Sequence, residues 1–233
     1  MPVNSNRLII ALDVPDFEAA KKLVNEIGDA ANFYKIGLEL MMSGSYFELI
    51  KWLKNKGKKV FADLKLYDIS ETIARAVANL AQYEIDLLTI HIASKSIMEQ
   101  ASQSKGKMHV IGVTVLTNLD KKDLDEMGFD PDISLENLVL KKAELALKSG
   151  LDGVVASALE AQNLRQKFGQ DFLIVSPGIR LEALNNDDQK RVADVKTALI
   201  NGSSHLVVGR PITRNPNPQE AARKFNQLIA NFS

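Results

Sequence analysis

The chain has 233 residues, 45% of them hydrophobic and 25% charged, with 29 basic side chains balanced by 29 acidic ones. That length can build one large core, and the neutral balance argues against a polyanionic partner such as bulk DNA and against an anionic membrane surface, while leaving room for a local basic pocket for one phosphate. The absence of cysteine excludes disulfides, thiolate metal ligands and a cysteine nucleophile, and fits a reducing compartment. The N-terminal Met1-Pro2-Val3-Asn4-Ser5-Asn6-Arg7 lacks the long apolar segment of a signal peptide, and no stretch approaches the apolar length of a membrane span. A soluble cytoplasmic protein is expected.

In chain order, strand and helix patterns alternate. Arg7–Leu12 is an apolar strand, and Phe17, Ala20, Leu23, Val24 and Ile27 recur at helical spacing over Phe17–Ile27. Phe33–Ile36 predicts a second strand, followed by a helix over Tyr46–Asn55 that stops at Gly57. Lys59–Ala62 predicts the third strand, with a helix from Ile69 to about Tyr83. Asp86–His91 and Ser96–Ser104 make the fourth pair. Met108–Leu116 is the fifth strand, from which a polar loop leads to a helix over Ser134–Ser149. Gly153–Ser157 and Ala158–Phe168 make the sixth pair, and Phe172–Val175 the seventh strand, separated by a long polar loop from a helix over Val192–Asn201. His205–Val208 is the eighth strand and Pro218–Asn231 the last helix.

Eight strand-then-helix units without a composition break predict a parallel sheet closed into a (β/α)8 barrel, one domain over residues 1–233. An open doubly wound sheet would carry a Gly-rich dinucleotide fingerprint after the first strand, where this chain reads Leu12-Asp13-Val14-Pro15-Asp16. A barrel carries its chemistry at the C-terminal ends of its strands. Those positions hold Asp13, Lys35, Asp63 and Lys65, His91, Thr117, Pro177-Gly178-Ile179-Arg180 and Gly209-Arg210. Ion pairs on the outer surface of a barrel would not be confined to one rim.

The densest group is Asp63-Leu64-Lys65-Leu66-Tyr67-Asp68-Ile69. Asp63 and Lys65 are two apart and share a face in extended backbone, so the carboxylate can hold the ammonium as a positioned proton donor. Asp68 opens a helical pattern and is expected as its N-cap. In isolation, a surface ion pair followed by a helix cap would look the same. Together with Lys35, however, the segment suggests an array of two cations and two anions, Lys35, Asp63, Lys65 and Asp68. Carboxylate neighbours keep such lysines charged. A lysine so held can stabilise a developing carbanion and then protonate it, which suits a decarboxylation.

Asp68 and Thr72 are spaced i, i+4 and share one helix face. They are either a cap and a surface threonine or a carboxylate and hydroxyl presented to a polyol, in their own site or a neighbour's. Ser176–Arg180 leads into a long polar stretch that is an insertion or a lid. Gly209 and Arg210 after the eighth strand suit phosphate oxygens. His109 and His205 read as structural, and His91 has no second ligand at metal spacing, so no metal is expected. Trp52 and Met41-Met42 read as packing residues.

Ala11-Leu12-Asp13, Tyr34-Lys35-Ile36-Gly37, the Asp63–Ile69 segment with Thr72, Val113-Thr114-Val115-Leu116-Thr117, Pro177-Gly178-Ile179-Arg180 with Gln189, and Val208-Gly209-Arg210 together resemble the bacterial-type orotidine 5′-phosphate decarboxylase family, over about residues 7–230. The DxKxxD motif alone is shared with sibling sugar-phosphate decarboxylases; its combination with Lys35 and the PGIR…Q…GR end is specific. The resemblance implies conversion of orotidine 5′-monophosphate to UMP and CO2, the last step of de novo UMP synthesis, without metal or organic cofactor. It makes Lys65 the proton donor to C6, sets Asp63 near the substrate carboxylate, and completes the charged network with Lys35 and Asp68. Asp13 and Lys35 would hold ribose hydroxyls and Thr117 the pyrimidine edge, with Ile69 and Pro177 also lining the substrate. Arg180, Gln189, Gly209 and Arg210 would form the phosphate end, with Gln189 on the lid. A homodimer is implied, with Asp68 and Thr72 reaching into the partner's site.

Two segments depart from the family pattern. Ile92-Ala93-Ser94-Lys95 stands where many relatives carry a small residue and Gly-Gly, and Ser176 replaces the usual Thr. The competing readings are a magnesium-dependent 3-keto-gulonate 6-phosphate decarboxylase or hexulose-phosphate synthase, and a non-catalytic nucleotide-binding barrel. The lysine at position 35 opposes a divalent cation by repulsion, and an intact charged array argues against a non-catalytic member.

Overall fold

The computed structural model describes residues 6–181 and 191–232. Strands β1 (Leu8–Ala11), β2 (Phe33–Gly37), β3 (Lys59–Leu66), β4 (Leu87–His91), β5 (His109–Val113), β6 (Gly153–Val155) and β7 (Leu173–Ser176) pair in parallel and in sequence. A separate two-stranded pair follows, β8 (Ile179–Arg180) with β9 (Ala193–Asp194), before β10 (His205–Val208) closes the barrel between β7 and β1. The helices are α1 (Phe17–Ile27), α2 (Leu38–Met42), α3 (Tyr46–Asn55), α4 (Ser70–Ala81), α5 (Lys95–Ser104), α6 (Lys121–Glu126), α7 (Leu135–Lys148), α8 (Ala161–Phe168), α9 (Val195–Ile200), α10 (Arg210–Thr213) and α11 (Pro218–Ala230). The expected (β/α)8 barrel is therefore the observed architecture.

Strand alternation divides the apolar residues into two cores. Ile9, Ala11, Phe33, Phe61, Leu87, Ile111, Val175 and Val207 fill the barrel interior. Their neighbours, among them Ile10, Tyr34, Val60, Leu88, Val110 and Ile174, face the helices. Burial on both faces explains why these strands read as continuous apolar runs, and each fully buried Val, Leu, Ile or Phe contributes about 1.5–3 kcal/mol. At Gly153 a Cβ would collide with the backbone carbonyl of Leu173, so glycine there lets β6 and β7 approach.

Several boundaries differ from the sequence expectation. β3 runs on past Ala62 to Leu66: Asp63 stays paired with Gly37 of β2, and beyond a register shift Leu66 pairs with Ile90 of β4. Asp68 is not the N-cap of α4: Ile69 takes that position in extended backbone, and the Asp68 carboxylate accepts the N–H of Ile69 at 2.7 Å. The polar loop after β5 contains α6, closed by a reciprocal capping box between Asp120 and Asp123. α2, α10 and the β8–β9 pair were also unforeseen, being too short to leave a periodic signal. His109 is exposed, whereas His205 packs edge-on against Phe33 at 6.0 Å. No helix among the described residues is long and apolar enough to cross a membrane.

Candidate active site

The C-terminal ends of the strands open on a cavity of about 600 Å³, a size suited to a small-molecule ligand. Val113, Val155, Val175 and Val207 give it an apolar floor, and Asp13, Lys35, Asp63, Lys65, Arg180, Arg210 and Arg214 line its walls.

Asp63 is the hub. The alternation that turns Phe61 into the barrel also brings Asp63 to the cavity, two pairs above Phe61–Lys35 in the β2–β3 register, where Gly37 lies opposite Asp63. Lys35 Nζ lies 2.9 Å from Asp13 Oδ1 and 3.5 Å from Asp63 Oδ2. Lys65 Nζ lies 2.8 Å from Asp63 Oδ1, and the Thr89 hydroxyl donates to the same oxygen at 2.9 Å. The side chains of Lys35 and Asp63 are 12% and 13% exposed, against 28% for Lys65, so Lys65 is the more open cation. The result is an alternating row, Asp13–Lys35–Asp63–Lys65.

Lys65 reaches this row through an unusual backbone. Its φ is 48°, a left-handed conformation that costs a non-glycine residue of order 1–3 kcal/mol and persists where its surroundings impose it. The β3–β4 register shifts between Ala62 and Leu66, and the Lys65 N–H donates to Thr89 Oγ1 at 2.9 Å. Simple strand alternation therefore does not describe how Lys65 and Asp63 meet; an irregularity pinned by Thr89 does. Thr89 is fully buried and was missed from the sequence. Its signal was a polar residue at an inward position of an otherwise apolar strand, two after Leu87.

The array fixes its own charges. Burial alone would push Lys35 down, but Asp63 and Asp13 outweigh it and hold its pKa above the usual lysine value. Burial would likewise raise Asp63, but Lys35 and Lys65, with hydrogen bonds from Lys65 and Thr89, hold it below the usual carboxylate value. His91 sits beside this group, edge-on to Tyr67 at 5.9 Å. Its pKa is pushed down by burial and by Lys142 and Lys65, against the pull of Asp63.

Thr117, Pro177, Gly178, Arg180, Gly209 and Arg210 all line the cavity with Asp13, Lys35, Asp63 and Lys65. β7 stands across the barrel from β3, and β10 lies between β7 and β1; Arg180 and Arg210, which follow these strands, line the same cavity as the lysines. Gly178 has φ 76°, the left-handed turn that brings Arg180 back over the mouth, a conformation glycine takes without strain. Arg214 joins these arginines and was missed because it follows α10, itself unforeseen. Gln189 lies outside the described residues.

Asp68 does not join the row within the chain; Asp13 takes the fourth place expected for it. Asp68, Ile69 and Thr72 are all exposed and outside the cavity lining. Tyr67, just after β3, is 70% exposed, and Leu38 and Met42 of α2, just after the neighbouring β2, are 51% and 79% exposed. No group of three or more His, Asp or Glu able to hold a metal ion exists among the described residues.

Comparison with known proteins agrees with this geometry. Residues 6–225 match the family model described as "Orotidine 5'-phosphate decarboxylase / HUMPS family". The chain is 49% identical over 226 residues to orotidine 5′-phosphate decarboxylase of Methylococcus capsulatus, covering 97% of this chain and 92% of the relative. It is 48% identical to that of Nitrobacter winogradskyi, covering 96% and 92%. Among solved structures, orotidine 5′-phosphate decarboxylase from Lactobacillus acidophilus superposes with a TM-score of 0.86 at 31% identity, covering 97% of this chain and 99% of that one.

Proposed function

The chain belongs to the orotidine 5′-phosphate decarboxylase / HUMPS family, and from that premise we propose that its charged row converts orotidine 5′-monophosphate to UMP and CO2. The bond from C6 of the pyrimidine to the carboxylate breaks and its electron pair stays on C6. Lys65 faces that carbon, stabilises the developing negative charge and delivers a proton from Nζ, after which solvent restores the ammonium. Asp63 stands near the departing carboxylate and fixes the direction of Lys65. Lys35 and Asp13 hold the ribose hydroxyls, and Thr117 meets the pyrimidine edge. Arg180, Arg210 and Gly209 take the phosphate, with Gln189 and Pro177 completing that end.

The observation that carries this reading is the position of Lys65, turned toward the cavity by a strained backbone and held 2.8 Å from Asp63. Phosphate is remote from the reacting carbon, so its binding contributes by holding the base against the lysines. The family description also covers the magnesium-dependent siblings. The Lys35 ammonium, shared by Asp13 and Asp63, already neutralises the carboxylates that a divalent cation would need, which favours the decarboxylase with no metal or organic cofactor.

The site is completed by a homodimer, in which Asp68, Ile69 and Thr72 enter the partner's cavity and the exposed Leu38, Met42 and Tyr67 are covered. The enzyme works in the cytoplasm, alongside its nucleotide substrate. Chelator-treated protein mixed with orotidine 5′-monophosphate should turn over, as read by ultraviolet absorbance and product chromatography, and Lys65→Ala should abolish it. Magnesium-dependent CO2 release from a keto-sugar phosphate instead would overturn the assignment. Mixing Lys65→Ala with Asp68→Ala chains should restore activity if Asp68 serves the partner, because one site of each mixed dimer is then intact; no recovery would place Asp68 in its own site.

A further inference from the structure

Behind the cavity wall formed by Val115, Leu116 and Thr117 lies an ion pair that the catalytic row does not use. Glu160, just before α8, meets Arg191, just before β9, through Glu160 Oε1 and Arg191 Nη1. Each side chain is only 10% exposed. The other carboxylate oxygen, Glu160 Oε2, accepts the N–H of Ser157 at 3.0 Å. Arg191 Nη2 donates to the carbonyls of Val115 at 3.1 Å and Leu116 at 2.9 Å. One guanidinium therefore ties the loop after β5 to the loop after β6. It also ties both to β9, which pairs with the strand carrying Arg180 through Arg180–Asp194.

A buried ion pair is a weak source of net stability compared with apolar packing of the same volume. A planar fork bonded to one carboxylate and two successive carbonyls does something else: it fixes the conformation of the segment that owns those carbonyls. That segment is the wall of the cavity immediately before Thr117.

We propose that Glu160 and Arg191 are positioning residues that hold the Val115–Thr117 wall against the substrate's pyrimidine, and so set the preference of the site for a base-bearing ligand. The proposal rests on the decarboxylase reading, which assigns Thr117 to the pyrimidine edge.

The test compares UMP with ribose 5-phosphate by titration calorimetry, beside kcat and KM for orotidine 5′-monophosphate and a thermal melt. Arg191→Lys keeps the charge but cannot span the carboxylate and both carbonyls. It should weaken UMP about tenfold, leave ribose 5-phosphate within about twofold, and raise KM by a larger factor than it lowers kcat. A folded Arg191→Lys protein with an unchanged ratio of UMP to ribose 5-phosphate affinity, or with both ligands weakened equally, overturns the proposal. Should Arg191→Lys fail to fold, Glu160→Gln carries the same comparison, since its carboxamide still accepts a hydrogen bond. Failure of both to fold would make the pair a requirement of the fold and likewise overturn it. Wild-type protein inert toward orotidine 5′-monophosphate, with the UMP preference still lost in Arg191→Lys, would sink the decarboxylase reading alone. Active wild type with an unchanged ratio would sink the positioning role alone.

Discussion

The two ends of the barrel both carry lysine–aspartate pairs, and they are built differently. At the N-terminal end, Asp86 accepts Lys54 Nζ at 2.9 Å and the N–H of Val60 at 2.8 Å. Asp152 repeats the arrangement with Lys105 at 2.5 Å and the N–H of Val110 at 2.8 Å. Each carboxylate lies just before one strand and holds the backbone of the neighbouring strand. At the C-terminal end, Asp63 is bonded by two lysines and a threonine hydroxyl, all side chains, beside an open cavity. Ion pairs at a barrel rim do not by themselves mark a site. Those anchored to backbone fasten strands; those anchored to one another keep charge poised toward a ligand.

The largest expected contrast comes from the lysines. Lys65→Ala should lower kcat/KM by about 10⁴-fold or more while moving the melting temperature little, because Asp63 keeps Lys35 and Thr89. Lys54→Ala should do the reverse, losing stability at nearly unchanged kcat/KM. Equal effects of the two substitutions in both assays would erase the distinction. Asp86→Ala removes an ion pair and leaves the Val60 N–H without its acceptor, so it should cost about 2–3 kcal/mol in denaturant unfolding with kcat preserved. A large kcat loss in folded Asp86→Ala protein would mean that this end also shapes the site.

Thr89→Val sharpens the comparison from the other side. It removes the acceptor of the Lys65 N–H and a donor to Asp63 without changing side-chain volume much. It should lower kcat about tenfold to a hundredfold for about 1–2 kcal/mol of stability, and Thr89→Ser should recover most of the rate.

The smallest effect concerns His205, whose pKa burial pushes down to about 4, aided by Lys59, Arg7 and His109. The unfolded chain then takes up this proton near pH 6.5 and the folded chain only near 4. This contribution is fully present above about pH 6.5 and is lost progressively as pH falls toward 4, by about 1–3 kcal/mol. Melting curves across that window should fall less steeply for His205→Phe than for the wild type; parallel curves would remove His205 as the cause.

Much of this was legible in the sequence, because it rests on local rules. Period-2 and period-3.6 apolar patterns, punctuated by turn residues, predict eight repeats of strand and helix, and that alternation requires a parallel closed sheet. Once the barrel is granted, position along each strand brings Asp13, Lys35, Asp63, Lys65, Thr117, Arg180 and Arg210 to one mouth. The rest depends on which groups meet across the fold. Asp13 rather than Asp68 completes the row because β1 and β2 are neighbours, with Ala11 beside Lys35, while Asp68 spends its carboxylate on the adjacent Ile69 N–H. Lys65 faces Asp63 through a register shift held by a threonine 24 residues away, and Arg191 finds the carbonyls of Val115 and Leu116 at separations of 76 and 75 residues. No periodicity encodes such contacts; they exist only once the strands have closed and buried groups must find partners among whatever lies beside them.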